Sequence, residues 1–495
     1  MNVADLLTAR AVAAPQDIAV ISDAHSLSLA SMDAAVWSMA HKIREAGLTS
    51  SDVVGLRAKD PLLHLIAALA LARMGIAHLA VSSDASASAQ SAQLLQRIGA
   101  VAVLDDRKSQ GAGIANCIPI DLESTLAGNG APKAALRVDG GDRILHFRSS
   151  SGTTGRPKLV GATHAAMIAS IEREQIAIRY MPGERYMTPV GVHFAAPKQR
   201  YIACMVSGST AVMPPTSLSI GTLLELVDRH DVRHFSCVPS QAYDVASNLP
   251  PGRQRLPNMR CFRLSAAPSD ASLIDLLHER ICSNVVISYG CNEIGAMTAT
   301  DPQSRLRRPL SVGRPMPGIA IEVVSTANEP MPNGGTGIVR VRSPCMPSGY
   351  FDDPQATAHH FRDGWFYPGD LGSMSDDSVL TLMGRADDIM IFDGSNISPH
   401  EIEVVLNEFP GVREAAAFPL RSLRSYQLPA AAVVLEQGVS MNELNRFVRE
   451  RLASSGPTVI FAVDRMPRNE GGKIMKRKLA ELAERYMEAS NGKRS

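Results

Sequence analysis

The sequence predicts an α/β protein. It should have a large N-terminal domain of wound layers with parallel sheets plus a small β-subdomain, followed by a smaller α+β domain. Three observations carry this expectation. The chain has 495 residues, more than one hydrophobic core serves, because single cores stop growing near about 250–300 residues. From the start to about residue 345, helical periodicity alternates with short β-branched runs such as Ala100-Val101-Ala102-Val103-Leu104 and Asn284-Val285-Val286-Ile287-Ser288, the rhythm of parallel strands joined by helices. After Gly384-Arg385-Ala386-Asp387 the texture changes, and a strand, a turn at Asp393-Gly394 and a helix opened by Pro399 begin a separate unit.

In chain order, Leu62 to Val81 is the longest apolar stretch, but His64, Arg73 and Gly75 interrupt it. It therefore reads as a buried helix and strand rather than a span needing about 20 apolar residues. The polar run Ser82–Ser91 reads as a loop. Glycine and proline become dense through Pro330–Gly337 and Pro344–Gly349, where the small β-subdomain is expected. The boundary is set at 1–386 and 387–495. In the second unit two strands precede a helix with a capping box at Ser440 and Glu443. The N-terminus lacks the basic stretch and apolar run of a signal peptide.

Composition narrows the function. Hydrophobic residues make up 45% and charged residues 20%, and 50 basic against 49 acidic residues leave a net charge of +1. Such a balance provides no field for nucleic acid or an anionic membrane, so any anion must be held by local architecture. Seven scattered cysteines without a C-x-x-C pair argue against a disulfide frame or a zinc site and fit a reducing cytoplasm.

The sharpest motif is Ser149-Ser150-Ser151-Gly152-Thr153-Thr154-Gly155-Arg156-Pro157-Lys158, directly after the apolar Ile144-Leu145-His146-Phe147. Glycines let backbone amides turn inward, hydroxyls add donors and Lys158 adds charge, which together suit a polyphosphate. The spacing is not that of a Walker A loop, and by composition alone a flexible linker is the competing reading. Four further motifs follow: Tyr289-Gly290-Cys291-Asn292-Glu293, Trp365-Phe366-Tyr367-Pro368-Gly369-Asp370, Gly384-Arg385-Ala386-Asp387 and Gly471-Gly472-Lys473-Ile474. Tyr289 could lie against a base and Glu293 could offer an oxygen to Mg²⁺. Asp370 could accept two ribose hydroxyls or merely close an Asx turn. Arg385 could contact ribose or phosphate or be a solvated charge.

Taken in order, from about residue 5 to 480, these motifs resemble the adenylate-forming superfamily of acyl-CoA synthetases, nonribosomal peptide adenylation domains and luciferases, and look most like bacterial AMP-forming acyl-CoA synthetases. The resemblance implies an ATP- and Mg²⁺-dependent ligase that converts a carboxylic acid to acyl-AMP and passes the acyl group to the thiol of coenzyme A. It implies catalytic roles for Lys473, Thr153 and His193, and a metal-binding Glu293. Nucleotide and thiol contacts fall on Ser149, Ser150, Ser151, Gly152, Thr154, Gly155, Lys158, Ala266, Ala267, Tyr289, Gly290, Asn292, Asp370, Arg385 and Gly394. An acid pocket falls on His193, Phe194, Lys198, Arg200, Gly290 and Ala296. The second domain would be mobile about a hinge at Asp387, with Lys473 serving adenylation and Gly394 lining the thiol tunnel.

Departures from the usual pattern concern Asn292, Pro368 and Ser265-Ala266-Ala267-Pro268, where threonine, threonine and a more glycine-rich segment are common. Amino-acid-activating relatives place an aspartate after the aromatic residue, whereas Ala195 follows Phe194. The acid is therefore expected to be a non-amino acid. Lys198 and Arg200 suggest a small aryl, polar or dicarboxylic acid if they face inward, and carry no such meaning if they are solvated. Two alternatives remain: a ligase loading the phosphopantetheine of a free-standing carrier protein, and a catalytically inactive nucleotide-binding regulator.

Overall fold

The computed structural model describes residues 1–81, 88–106, 116–128, 136–150, 157–216, 218–249, 256–301, 308, 311–392, 395–421, 427–469 and 472–491. Two sheets organise the first 385 residues. A six-stranded sheet runs Cys117–Pro119, Ala102–Asp105, Val53–Arg57, Ala77–Ala80, Ile144–Ser150 and Lys158–Thr163, parallel except for the last pair. The second sheet has a parallel centre of Ile18–Ile21, Thr210–Val212, Arg185–Met187, His234–Cys237, Cys261–Ser265 and Val285–Cys291. Strands such as Ala102–Asp105 and His234–Cys237 are buried at every position, as parallel strands covered on both faces must be.

The expected small β-subdomain is present, but it is not a separate sheet. At Gly295–Ala299 the second sheet turns antiparallel and continues through Ser311–Pro315, Leu380–Arg385, Asp370–Met374 and Thr336–Arg342. The motif residues Tyr289, Asp370 and Arg385 therefore hang from one continuous sheet.

The apolar stretch after Asp60 forms the helix Pro61–Met74, started by the Asp60 side chain accepting from the Leu63 amide and by Pro61 in its first turn. Gly75 ends it at φ +68°, a left-handed position that glycine adopts without strain. Every residue from Leu62 to Met74 is buried, so the helix is apolar on all sides because it lies inside the core. Among the described residues no helix is long and apolar enough to cross a membrane. The polar run Ser82–Ser91 is not wholly a loop, because the helix Ser88–Arg97 starts within it and buries Leu94 and Leu95.

The C-terminal unit is α+β. A hairpin of Met390–Phe392 and Ser395–Ile397 leads to the helix Pro399–Asn407, then to a sheet of Val412–Arg421, Gln427–Leu435 and Val459–Ala462. Helix Met441–Leu452 begins at Ser440, whose side chain accepts from the Glu443 amide. Ile402, Leu406, Ala417, Val433, Leu444 and Val448 form a core of its own.

Candidate active site

Tyr289, Asp370 and Arg385 meet although they lie 81 and 15 residues apart in sequence. The Tyr289 hydroxyl donates to Asp370 Oδ2, and Arg385 Nη1 donates to Asp370 Oδ1 at 3.0 Å and to the Pro368 carbonyl at 2.6 Å. Pro368 thus serves through its carbonyl, which proline retains. Gly369 adopts φ +83°, and a Cβ there would lie 2.9 Å from Arg385 Nη2, so the turn before Asp370 needs glycine on both counts. Asp370 opens a strand rather than ending a turn. Burial, then the neighbouring Asp370, pushes the Tyr289 hydroxyl far above its ordinary value, which keeps it a donor. Burial works against the charge of Arg385, but Asp370 outweighs it and raises its pKa.

A second carboxylate, Glu293, lies in the turn after Tyr289. The Tyr350 hydroxyl donates to Glu293 Oε1 at 2.8 Å, leaving further lone pairs of Glu293 to a hard cation. Lys158 lies 5.3 Å from the Tyr350 ring centroid, and its Nζ sits 2.7 Å from His360 Nε2. His360 Nδ1 donates to the Tyr367 carbonyl at 2.7 Å, which leaves Nε2 to accept from the Lys158 ammonium. The Asn292 amide donates to the Ser149 carbonyl at 2.8 Å, joining this turn to the start of the loop. Ser151, Gly152, Thr153, Thr154 and Gly155 lie outside the described residues, as does Gly394, and Ser150 is described by its backbone alone.

Gly290 has a packing reason of its own, since a Cβ would sit 2.4 Å from the Gly295 carbonyl oxygen and 2.9 Å from Ala296 Cα. Ala266, in the segment with Ala267, stands at φ +75°, a conformation that costs a residue with a Cβ about 1–2 kcal/mol. The rings of His193 and Phe194 lie 4.2 Å apart between centroids, tilted by 40°, just before the helix Ala195–Val206.

Lys198 and Arg200, whose direction the sequence left open, are both buried, at 4% and 5% exposure. Arg200 donates to Ser236 and Ser265 at 3.2 Å and lies 3.9 Å from Glu174, which is also bonded by Arg263 and Tyr180. It therefore belongs to a compensated internal network beside the Ala266 segment. Lys198 Nζ sits 3.3 Å from His78 Nε2. Burial, then the nearby Arg148 charge, lowers its pKa to about 7.

Lys473 is exposed, on a hairpin closed by Asn469, whose amide donates to the Lys473 carbonyl and whose side chain accepts from the Lys473 amide. Gly472 lies against the N-terminal unit, where a Cβ would come within 3.0 Å of Val238. The turn carrying this lysine is thus seated on the large domain. Sequence reasoning missed Tyr350, His360 and Arg148. Tyr350 had a faint signal, an aromatic after Gly349 in a turn-rich stretch, whereas His360 and Arg148 are visible only through their partners.

Tyr289, Asp370 and Arg385 gathered on the large domain, and a lysine-bearing turn of the small domain resting on Val238 of the large one, are the arrangement of an adenylate-forming enzyme. The chain belongs to the AMP-binding enzyme family: the profile of that family matches residues 7–351, and that of the AMP-binding enzyme C-terminal domain matches residues 401–473. It is 27% identical to a 2-succinylbenzoate–CoA ligase of Bacillus licheniformis over 481 residues, covering 96% of this chain and 98% of that one. In fold it is similar to the o-succinylbenzoate CoA synthetase of Bacillus subtilis solved with its acyl-adenylate intermediate, with a TM-score of 0.84 and 23% identity over 96% of this chain and 97% of that one. It is likewise similar to ATP-bound MatB of Rhodopseudomonas palustris, with a TM-score of 0.88 and 22% identity over 97% and 99% of the two chains.

Proposed function

We propose that the chain is an AMP-forming acid–thiol ligase that activates a non-amino carboxylic acid with ATP and transfers the acyl group to coenzyme A in the cytoplasm. The observation that carries this reading is the pairing of the Tyr289–Asp370–Arg385 clamp with a Lys473 turn seated against Val238. The residues suit the groups they would hold. Asp370, with lone pairs to spare after its two partners, can take ribose hydroxyls. Glu293, bonded by Tyr350, can hold Mg²⁺, which would neutralise charge on the phosphates. Lys158 and the loop before it supply charge and donors to the pyrophosphate.

A carboxylate is a poor electrophile and ATP is a polyanion, so the first step needs orientation and charge neutralisation more than a nucleophile. The acid oxygen attacks the α-phosphorus, and the bond to pyrophosphate breaks. Lys473 would sit between these two anions and stabilise the charge that builds up there, a contribution of roughly 3–4 kcal/mol. In the second step the thiolate sulfur attacks the acyl carbon and AMP leaves. Rotation about Asp387 would first withdraw Lys473 and bring the Gly394 turn to the site. The seven cysteines remain thiols, as a reducing cytoplasm would keep them.

The test is pyrophosphate exchange into ATP over a panel of acids, followed by acceptor assays with coenzyme A and with carrier proteins. Acid-dependent exchange and thioester formation on coenzyme A are expected. Transfer to a carrier alone would replace the acceptor, and ATP binding without exchange for any acid would point to an inactive regulator.

A further inference from the structure

Most buried arginines elsewhere in this chain face carboxylates: Arg57 bonds Asp105, Arg73 lies 2.8 Å from Asp33, and Arg263 bonds Glu174. Arg173 is an exception that bonds the Ser170 hydroxyl, and Lys198 and Arg148 break the pattern as a pair. They are 4% and 7% exposed, and among the described residues no carboxylate lies within 4.0 Å of either cation. Their partners are neutral acceptors. Arg148 Nε donates to His146 Nε2 at 2.7 Å and Nη1 to the Asn292 carbonyl at 3.0 Å, while Lys198 Nζ meets His78 Nε2 at 3.3 Å. His78 and His146 are cross-strand neighbours with ring centroids 5.7 Å apart, and they bridge the two cations. His146 is 3% exposed, and its Nδ1 finds no partner among the described residues.

An unbalanced buried cation is among the least favourable features a core can hold. A lysine can relieve it by losing its proton, but an arginine cannot. Burial lowers the pKa of Arg148 only to about 10, so it stays charged at neutral pH. The cluster is also well placed. Lys198 stands on the first turns of the helix Ala195–Val206, directly after His193 and Phe194. Arg148 is bonded to the turn at Asn292, beside Gly290 and Ala296. These are the segments assigned above to the acid pocket.

We propose that Lys198 and Arg148, with His78 and His146 between them, receive a second carboxylate on the acid substrate, so that the enzyme activates dicarboxylic acids. This rests on the acid-ligase reading and narrows its substrate class. The carboxylate that reacts lies at Lys473 and the α-phosphate, and the distal one enters the buried basic cluster. Glu293 acts on Arg148 only at a distance, without an ion-pair contact; the direct counter-ion is then supplied by the substrate. Such a site rejects a monoacid of the same shape because the monoacid leaves the cations unpaired.

The experiment is pyrophosphate exchange with matched acids that differ by one carboxylate: butanoate and succinate, hexanoate and adipate, 4-oxo-4-phenylbutanoate and 2-succinylbenzoate. In at least one pair the diacid should exceed the monoacid by about 100-fold or more in kcat/KM. Lys198→Met should collapse that ratio, chiefly through the KM of the diacid. Monoacids that match or exceed their diacids would overturn the proposal while leaving the ligase assignment intact, as would a ratio that persists in Lys198→Met. No exchange with any acid by the folded protein would overturn the ligase assignment and this proposal with it. If Lys198→Met does not fold, Lys198→Gln and the wild-type ratios decide the matter.

Discussion

Replacing Lys473 by alanine should separate the two half-reactions. The lysine is exposed, and its hairpin is closed by Asn469, so truncation beyond Cβ removes no packing on which the fold depends. What it removes is a cation that Gly472 brings to the large domain through close contact with Val238. One preorganised donor aimed at developing charge is worth about 3–4 kcal/mol, or about 10²–10³ in rate. Pyrophosphate exchange should fall by that factor while the melting temperature stays unchanged. Given chemically prepared acyl-AMP and coenzyme A, the variant should still form thioester at nearly the wild-type rate, because in the proposed mechanism the C-terminal unit would by then have turned about Asp387. Equal loss in both half-reactions would refute the two-position argument, and an unimpaired exchange rate would remove Lys473 from the chemistry.

Asp370→Ala should weaken ATP binding by roughly 1–3 kcal/mol, since it would leave the ribose hydroxyls without their acceptor and Arg385 with the Pro368 carbonyl alone; calorimetric titration with ATP checks this. Tyr350→Phe removes the hydroxyl that orients Glu293 and should raise the Mg²⁺ concentration for half-maximal exchange by about 10-fold or more. An unchanged Mg²⁺ requirement would count against Glu293 as the metal ligand. The pKa of Lys198 lies near 7 in the folded chain, against an ordinary 10.5, so between these values the unfolded chain holds a proton that the native one lacks. Stability should therefore rise with pH across that window, and denaturant titrations of Lys198→Met should show a shallower rise together with higher stability at pH 7.

The division between large and small domain and the class of chemistry were legible because glycine-centred motifs carry their own geometric reasons. Gly290 must approach the Gly295 carbonyl, and Gly369 must turn left-handed next to Arg385. The direction of Lys198 was not legible. Lys198-Gln199-Arg200 looks like a polar helix face, and only the packing of helix Ala195–Val206 against residues far away in sequence, His78 and Glu174 among them, turns that face inward. The strand Ile144–Ser150 hid its chemistry in the same way, since Arg148 beside an apolar run gives no sign that the Asn292 carbonyl, 144 residues later, will accept its proton. The polar run that became the helix Ser88–Arg97 illustrates the reverse: a few buried leucines decided an element that composition assigned to a loop.

The unbroken sheet has a further consequence. Tyr289, Asp370 and Arg385 are all anchored upstream of the Ala386–Asp388 turn, on strands hydrogen-bonded in series. A chain cut at that turn would keep every member of the proposed nucleotide clamp and lose Lys473 and the Gly394 turn. It would be a receptor that senses ATP without consuming it, and the step from receptor to catalyst would lie in about a hundred residues of appended chain.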